Sequence, residues 1–472
     1  MNIETKGVLD RTLSNLKRAW LEIASPGNVG KVSETVDLSP DLPDGELGKL
    51  KAQMSACLKG LGGEVSARSR AAALGRAYLS LNDVGRRRFL GVLAKEFGPD
   101  RETVDAAATK LLAAGSDERE AAEKALVKAL EAPRIQLLTQ FNGLPEGVKF
   151  LVDMRAELLG FLKDDPSLKP LEADLKALLT RWFDVGFLEL RRITWESPAT
   201  VLEKLIAYEA VHAIKSWDDL KNRLDSDRRC FAYFHPRMPE EPLIFVEVAL
   251  VSGMSGHIKP LLDENAPVQD PDQADTAIFY SISNAQKGLA GISFGNFLIK
   301  RVVGSLSRSF PNLKTFATLS PIPGFRKWLD GRLAEGEPNL LLPNERKALK
   351  SVTGNAGAKG GLKAVLSQPL WFEDEKTEAA LKPILKRLCA RYLMHEKGRS
   401  GRALDPVAHF HLTNGARMER LNWLGDPSEN GLRQSSGMMI NYRYRLKEIE
   451  SNHEAYSGKG EVKASSAFKS LT

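Results

Sequence analysis

Between about Leu47 and Phe183 the apolar positions recur at three- and four-residue steps. Val148, Leu151, Met154, Leu158 and Leu162 form one such stripe, the spacing of a helix that buries one face. Ala, Leu, Lys and Glu dominate and β-branched residues are few, which favours helix throughout. Gly62-Gly63, Gly98-Pro99, Gly115-Ser116 and Asp165-Pro166 read as breaks between helices. Asp117, with Glu120 three residues on, predicts a capping box opening a helix through Leu130. No fixed-period repeat is present, which disfavours a solenoid. The pattern predicts an all-helical bundle over residues 1–188.

After about Leu190 short β-rich runs alternate with helices. Cys230 to His235, Leu243 to Leu250, Ala277 to Ser283 and Thr315 to Leu319 read as strands rich in Val, Ile, Phe, Tyr or Thr, and Phe297 to Val303 reads as a helix. Helical character returns between about residues 330 and 400, strongest from Ala379 to His395, and reads as an insertion. Val407 to Thr413 and Met438 to Leu446 read as β again. Beyond Asn452 the residues are small and polar, which predicts a loose tail. The fold class expected is α + α/β: an N-terminal helical bundle, then a mixed α/β domain over residues 189–472.

A chain of 472 residues agrees with two domains. Hydrophobic residues at 43% and charged residues at 27% describe an ordinary globular protein. The net charge of +7, from 67 basic and 60 acidic side chains, is spread thinly. Arg86-Arg87-Arg88 and Lys300-Arg301 are too short for a nucleic-acid stripe and read as solvated helix faces. A modest positive field does suit a phosphate-bearing coenzyme. Cys57, Cys230 and Cys389 are far apart and odd in number, which argues for reduced thiols and against a structural zinc site. No apolar run approaches the ~20 residues of a membrane span, and no secretory core follows Met1. The expected location is cytoplasmic, with neither membrane nor nucleic acid as partner.

Three segments carry candidate chemistry. Gln286-Lys287-Gly288-Leu289-Ala290-Gly291-Ile292-Ser293-Phe294-Gly295-Asn296 lies between a predicted strand and a predicted helix. Glycines there let backbone N–H groups crowd an anion, although such a junction also serves as a plain tight turn. It is neither a Walker motif nor the GxGxxG of a dinucleotide fold. Gly354 to Gly361 superficially resembles a phosphate loop, but no strand precedes it and it reads as a flexible loop. In Thr318-Leu319-Ser320-Pro321-Ile322-Pro323-Gly324-Phe325 the prolines hold the chain extended where it turns. Ser320 either points into a cleft or caps the helix starting near Phe325. In Asp405-Pro406-Val407-Ala408-His409-Phe410-His411, two-residue alternation puts His409 and His411 on one side. Acid–base use of one histidine, a hydrogen-bonded structural histidine and a metal pair remain open on spacing alone, the last disfavoured without a carboxylate partner. Asn422-Trp423 and Asn441, Tyr442 and Tyr444 read as polar and aromatic scaffolding for the same site.

Taken together these strings resemble the malonyl-CoA decarboxylase family. Ala277 to Ser283 with the glycine loop, Phe297 to Val303, Leu319 to Phe325, Phe410-His411-Leu412 with Asn414-Gly415-Ala416, and Asn441-Tyr442-Arg443-Tyr444 carry the resemblance over roughly residues 180–446. It implies a helical domain used in assembly of a homo-oligomer, a dimer or tetramer, and a catalytic domain of GNAT-acetyltransferase-like fold. It implies Ser320 and His411, rather than His409, as catalytic residues, with Tyr444 beside them. The acyl-CoA-binding residues it implies are Ala290, Gly291, Ile292, Ser293, Phe294, Gly295 and Asn296, together with Ser320 and His411. Some members carry glutamate at the position of Ser293, so that acid is missing here.

The implied reaction converts malonyl-CoA to acetyl-CoA and CO2. The thioester is itself the electron sink, so no cofactor is expected, coenzyme A being part of the substrate, and no metal. Backbone N–H groups around Gly291 to Gly295 are expected to bind the enolate oxygen, Ser320 to orient the carboxylate and His411 to protonate carbon. The competing readings are an acetyl-CoA-dependent acyltransferase and a non-catalytic acyl-CoA-sensing helical scaffold.

Overall fold

A computed structural model describes Leu16, Trp20 and residues 38–472, except 60–63, 293–296, 354–357 and 369. The helices before the sheet run Asp44–Leu58, Glu64–Ser80, Asp83–Glu96, Arg101–Ala113, Arg119–Leu130, Pro133–Asn142, Gly147–Phe161 and Lys169–Trp182. The helix Gly147–Phe161 buries Val148, Leu151, Met154 and Leu158, the stripe read from the sequence. The capping box does not form: the helix Arg119–Leu130 has Glu118 at its N-cap without a side-chain bond, and Asp117 accepts from Ser116 instead. The Gly62-Gly63 break lies outside the described residues.

The sheet has eight strands: β1 (Glu189–Ile193), β2 (Arg228–His235), β3 (Met238–Val251), β4 (Thr276–Asn284), β5 (Thr315–Thr318), β6 (Ser320–Pro321), β7 (Arg417–Asn422) and β8 (Met439–Arg443). Their order is β1-β2-β3-β4-β5-β8-β6, with β7 also on β8. Among these eight strands only β4 and β5 pair in parallel, joined through the helix Phe297–Ser309. A helical region followed by a mixed α/β sheet is the class expected. One hydrophobic core runs from Leu74, Phe89 and Leu179 in the helical region to Val246, Phe279 and Val302 on one sheet face. Helices Ala199–Tyr208 and Trp217–Arg223 cover the other face through Leu202, Leu205, Leu220 and Phe245.

Two features of this sheet make room for a site. Pairing of β4 with β5 stops at Phe279 opposite Thr318, while β4 continues beside β3 as far as Asn284. Beyond Leu319, β6 follows β8 instead. The two strands therefore splay, and a register shift in β4 between Phe279 and Ser281 adds the local bend of a β-bulge.

Between residues 330 and 400 the chain is helical as expected, with helices Phe325–Ala334, Pro343–Thr353, Ala358–Leu366 and Glu375–His395. The loop reading of Gly354 to Gly361 is corrected in part, because Ala358 to Gly361 open a helix; Gly354 to Gly357 lie outside the described residues. The loose tail is also corrected. Ile449–Lys459 and Ser466–Lys469 are helices, and Tyr456 and Phe468 are buried in the main core. Two well-spaced aromatics suffice to dock a polar segment that composition alone marks as tail.

Candidate active site

Val407 to Thr413, read as β, instead belong to a helix, Pro406–Thr413. Asp405 caps it, accepting from the N–H groups of Val407 and Ala408 at 3.0 and 2.9 Å, and Pro406 takes the first helical position, where its missing N–H is not needed. The correction reverses the geometry of the histidines, since residues two apart on a helix point in different directions. His409 turns to the Tyr456 hydroxyl, whereas His411 turns inward to Ser320. Among the described residues no group of three or more His, Cys, Asp or Glu side chains is placed to hold a metal.

Ser320 does not cap the following helix, whose N-cap Gly324 has no side chain. It lies on β6 opposite Ile440 of β8, at the splay. Its Oγ stands 3.0 Å from His411 Nε2 and donates to Thr318 Oγ1 at 2.8 Å. Thr318 Oγ1 also accepts the Tyr442 N–H at 3.1 Å. On the far edge of the imidazole, Nδ1 is 2.8 Å from the Tyr444 hydroxyl. The Tyr442 ring lies against the imidazole, centroids 4.5 Å apart and planes 24° from parallel. Three residues separated by 91 and 33 positions thus form one hydrogen-bonded chain, Tyr444–His411–Ser320.

The support is built from residues that the sequence marked only as scaffolding. Asn441 donates to the Thr318 carbonyl at 2.6 Å and accepts from Asn422 at 2.9 Å, which ties β8 to β5 beneath Ser320. Asp405 accepts from Tyr392 at 3.3 Å and from the Gly324 N–H at 3.4 Å, which joins the helix of His411 to the turn after Ser320. A side chain at Gly324 would meet the Tyr392 hydroxyl at 2.1 Å and push it away from Asp405. Thr318 and Asp405 were not singled out. The Asp-Pro pair was the available signal, because it marks a helix start.

His411 is 3% exposed, and burial pushes its imidazole from the ordinary 6.5 down to about 3, so it is neutral in the free protein. With Ser320 donating to Thr318, the single ring proton sits on Nε2 and the Tyr444 hydroxyl donates to Nδ1. Burial also raises the Tyr444 phenol far above its usual range.

Ser320 and His411 open into a cavity of about 200 Å³ shared with Phe279, Ile282, Val407 and Phe410. At ~30 Å³ per water it has roughly the volume of seven waters, the size of a small acyl group. Among the described residues no strand pairs with the β4 edge facing this cavity beyond Phe279. Because Ala285 N–H donates to Leu243 on β3, strand alternation turns the N–H groups of Ile282 and Asn284 toward the gap.

Of the glycine loop, Ala290 to Ile292 are described and do not line this cavity; Ser293, Phe294, Gly295 and Asn296 lie outside the described residues. The described part is bound to the helical region. Gly288 packs so closely on Val152 that a Cβ would fall 1.7 Å from its carbonyl oxygen, and Arg155 donates to the Gly288 carbonyl at 2.5 Å. Gln286 is held by Glu241 and the Pro242 carbonyl at 3.2 and 3.0 Å.

A helical region packed on a splayed mixed sheet, with a hydroxyl–imidazole pair in an acyl-sized cavity, defines an enzyme that handles acyl groups. Residues 186–472 match the malonyl-CoA decarboxylase C-terminal domain, and residues 97–183 match the N-terminal domain of the same family. The chain is 43% identical over 418 residues to the mitochondrial malonyl-CoA decarboxylase of Anser anser anser, covering 84% of this chain and 82% of that one. It is 42% identical over 404 residues to that of Mus musculus, covering 82% and 81%. The crystal structure of malonyl-CoA decarboxylase from Rhodopseudomonas palustris is similar with a TM-score of 0.82 at 45% identity, covering 90% of this chain and 99% of that one. That from Agrobacterium vitis gives 0.81 at 42% identity, with the same coverage. The chain belongs to the malonyl-CoA decarboxylase family, a family of carboxy-lyases. No helix among the described residues is long and apolar enough to cross a membrane.

Proposed function

We propose that the chain converts malonyl-CoA to acetyl-CoA and CO2 without a cofactor, through an enolate protonated by His411. The observation that carries this reading is the chain Tyr444–His411–Ser320, continued by Thr318 beyond the serine, whose Ser320 and His411 line the acyl-sized cavity.

The malonyl carboxylate enters a site of low polarity beside a neutral imidazole. A negative charge so close in such surroundings raises the imidazole's proton affinity, so His411 takes up one proton from solvent as substrate binds. The imidazolium donates from Nδ1 to the Tyr444 hydroxyl, which rotates to accept, and from Nε2 toward Ser320 and the carboxylate. Ser320 holds the carboxylate so that the breaking C–C bond stands perpendicular to the thioester plane. The bond's electron pair flows into the thioester carbonyl as neutral CO2 leaves. The enolate oxygen then accepts from the β4 N–H groups of Ile282 and Asn284, where one donor is worth about 3 kcal/mol. His411 returns its proton to the α-carbon and becomes neutral again. One proton is consumed overall, and the nucleotide-bearing end of the substrate is left for the glycine loop.

The decisive assay supplies malonyl-CoA to protein treated with chelator and desalted, with no acyl acceptor present. Equal amounts of CO2 and acetyl-CoA support the reading. A requirement for added metal, thiamine diphosphate, pyridoxal phosphate or biotin overturns it.

The same family reading makes the helical region a surface for self-association. It is supported by the hairpin of helices Arg101–Ala113 and Arg119–Leu130, which buries only Ala107 and exposes Leu112, Val127 and Leu130. Light scattering on the double variant L112E/V127E is expected to give a smaller species than the native chain.

A further inference from the structure

The turn at the end of the β4 loop is faced by a residue of the helical region. Gly291 has φ +72°, a conformation that glycine adopts without strain, and it is exposed. The Nζ of Lys176, from the helix Lys169–Trp182, reaches to 3.4 Å from the point where a Cβ on Gly291 would stand, with Cε at 3.8 Å. The two acids nearest Lys176 on its own helix are already engaged: Glu172 with Arg155 at 2.7 Å and Asp174 with Arg134 at 2.7 Å. Lys176 is therefore left as the cation aimed at the turn, half-buried at the seam between the helical region and the sheet.

The seam also fixes the distance between them. Arg155 binds the Gly288 carbonyl on one side and Glu172 on the other, which connects the loop to the helix that carries Lys176. Gly288 is packed against Val152 with no room for a side chain. The loop thus cannot shift away from Lys176 without breaking a buried contact. The N–H groups of Ala290 and Ile292 are taken by the Lys287 and Leu289 carbonyls, so at this exposed glycine turn the ammonium of Lys176 is the charged donor offered to an anion carrying several oxygens.

We propose that Lys176 binds the diphosphate of the acyl-CoA at the Gly291 turn, so that the helical region contributes a substrate-binding residue to the catalytic domain. The inference rests on the reading of the glycine loop as the coenzyme A site. Lys176 acts at the nucleotide end of the substrate, well away from the imidazole, so its removal falls on KM.

The test compares K176A and K176R with the native chain on three thioesters: malonyl-CoA, malonyl-dephospho-CoA, which lacks the 3′-phosphate, and malonyl-pantetheine, which lacks the diphosphate as well. A charge-assisted contact of this kind is worth about tenfold or more in binding. K176A is expected to raise KM about tenfold for both coenzyme A forms and to leave KM for malonyl-pantetheine as in the native chain, with K176R restoring most of the loss. An equal rise for all three substrates, or none for any while the native chain still prefers malonyl-CoA, overturns the role of Lys176. A rise with malonyl-CoA alone moves the lysine to the 3′-phosphate and overturns the diphosphate assignment. If the native chain itself turns over malonyl-pantetheine with the KM of malonyl-CoA, the coenzyme reading of the loop fails instead, and the inference fails with it.

Discussion

The Tyr444 hydroxyl stands 2.8 Å from Nδ1 of His411, on the ring edge opposite Ser320. It makes Tyr444 the group that sets the imidazole's orientation and, when substrate charges the ring, accepts its second N–H. Y444F is expected to lower kcat about 10- to 100-fold with KM for malonyl-CoA little changed. Steady-state kinetics read this directly; a rise in KM with kcat intact would place Tyr444 in substrate binding instead.

Ser320 orients a carboxylate in this account and forms no acyl intermediate. S320A is expected to lose about 100-fold or more in kcat. Mass spectrometry of the native protein quenched during turnover should show only the unmodified chain. A stable acyl adduct on Ser320 would contradict the orienting role.

Burial of His411 ties stability to pH. Its folded value of about 3 lies below the unfolded ~6.5, so the unfolded chain binds the extra proton between those limits. Stability is unaffected by this group above about pH 6.5 and falls as pH drops toward 3, by about 1.4 kcal/mol per pH unit. Denaturant melts at pH 6 and pH 4 should therefore converge in H411N relative to the native chain. His212, lowered to about 4 by burial, retains its own sensitivity in both.

Arg223 sits 3% exposed between Asp219 at 2.7 Å and Glu247 at 3.1 Å, and it also donates to the His212 carbonyl at 2.8 Å. Burial and the neighbouring Glu209 carboxylate push Glu247 up to about 8. R223A leaves two acids buried without their cation and is expected to cost about 3–5 kcal/mol, seen as a lower urea midpoint. It also loosens the segment that brings Val211 to the acyl cavity.

Much of the fold was legible because its signals are long. The stripe from Val148 to Leu162 spans four turns, and the strands around Ala277 and Leu243 are bounded by turn residues, so period and length agree. The segment Val407 to Thr413 is too short for period to decide, since a seven-residue run fits either a strand or a buried helix. Its Asp-Pro start was the local sign of helix. The site shows the same division. Ser320, His411 and Tyr444 were named through family resemblance, and the structure brings them together, yet the alternation argument placed His409 beside His411 where a helix separates them. Residues acting across the fold, such as Thr318 under Ser320 and Lys176 beside Gly291, carry no local pattern at all. The proposed mechanism takes the enolate donors from the β4 edge because Gly291 and Ile292 do not line the acyl cavity; Ser293, Phe294 and Gly295 lie outside the described residues.

The most direct measurement is malonyl-CoA turnover by H411N alongside its affinity for acetyl-CoA. The account expects CO2 release to fall by about 1,000-fold or more while the acetyl-CoA Kd stays within about threefold of the native chain. Decarboxylation persisting near the native rate in H411N would contradict the assignment of His411 as the proton donor.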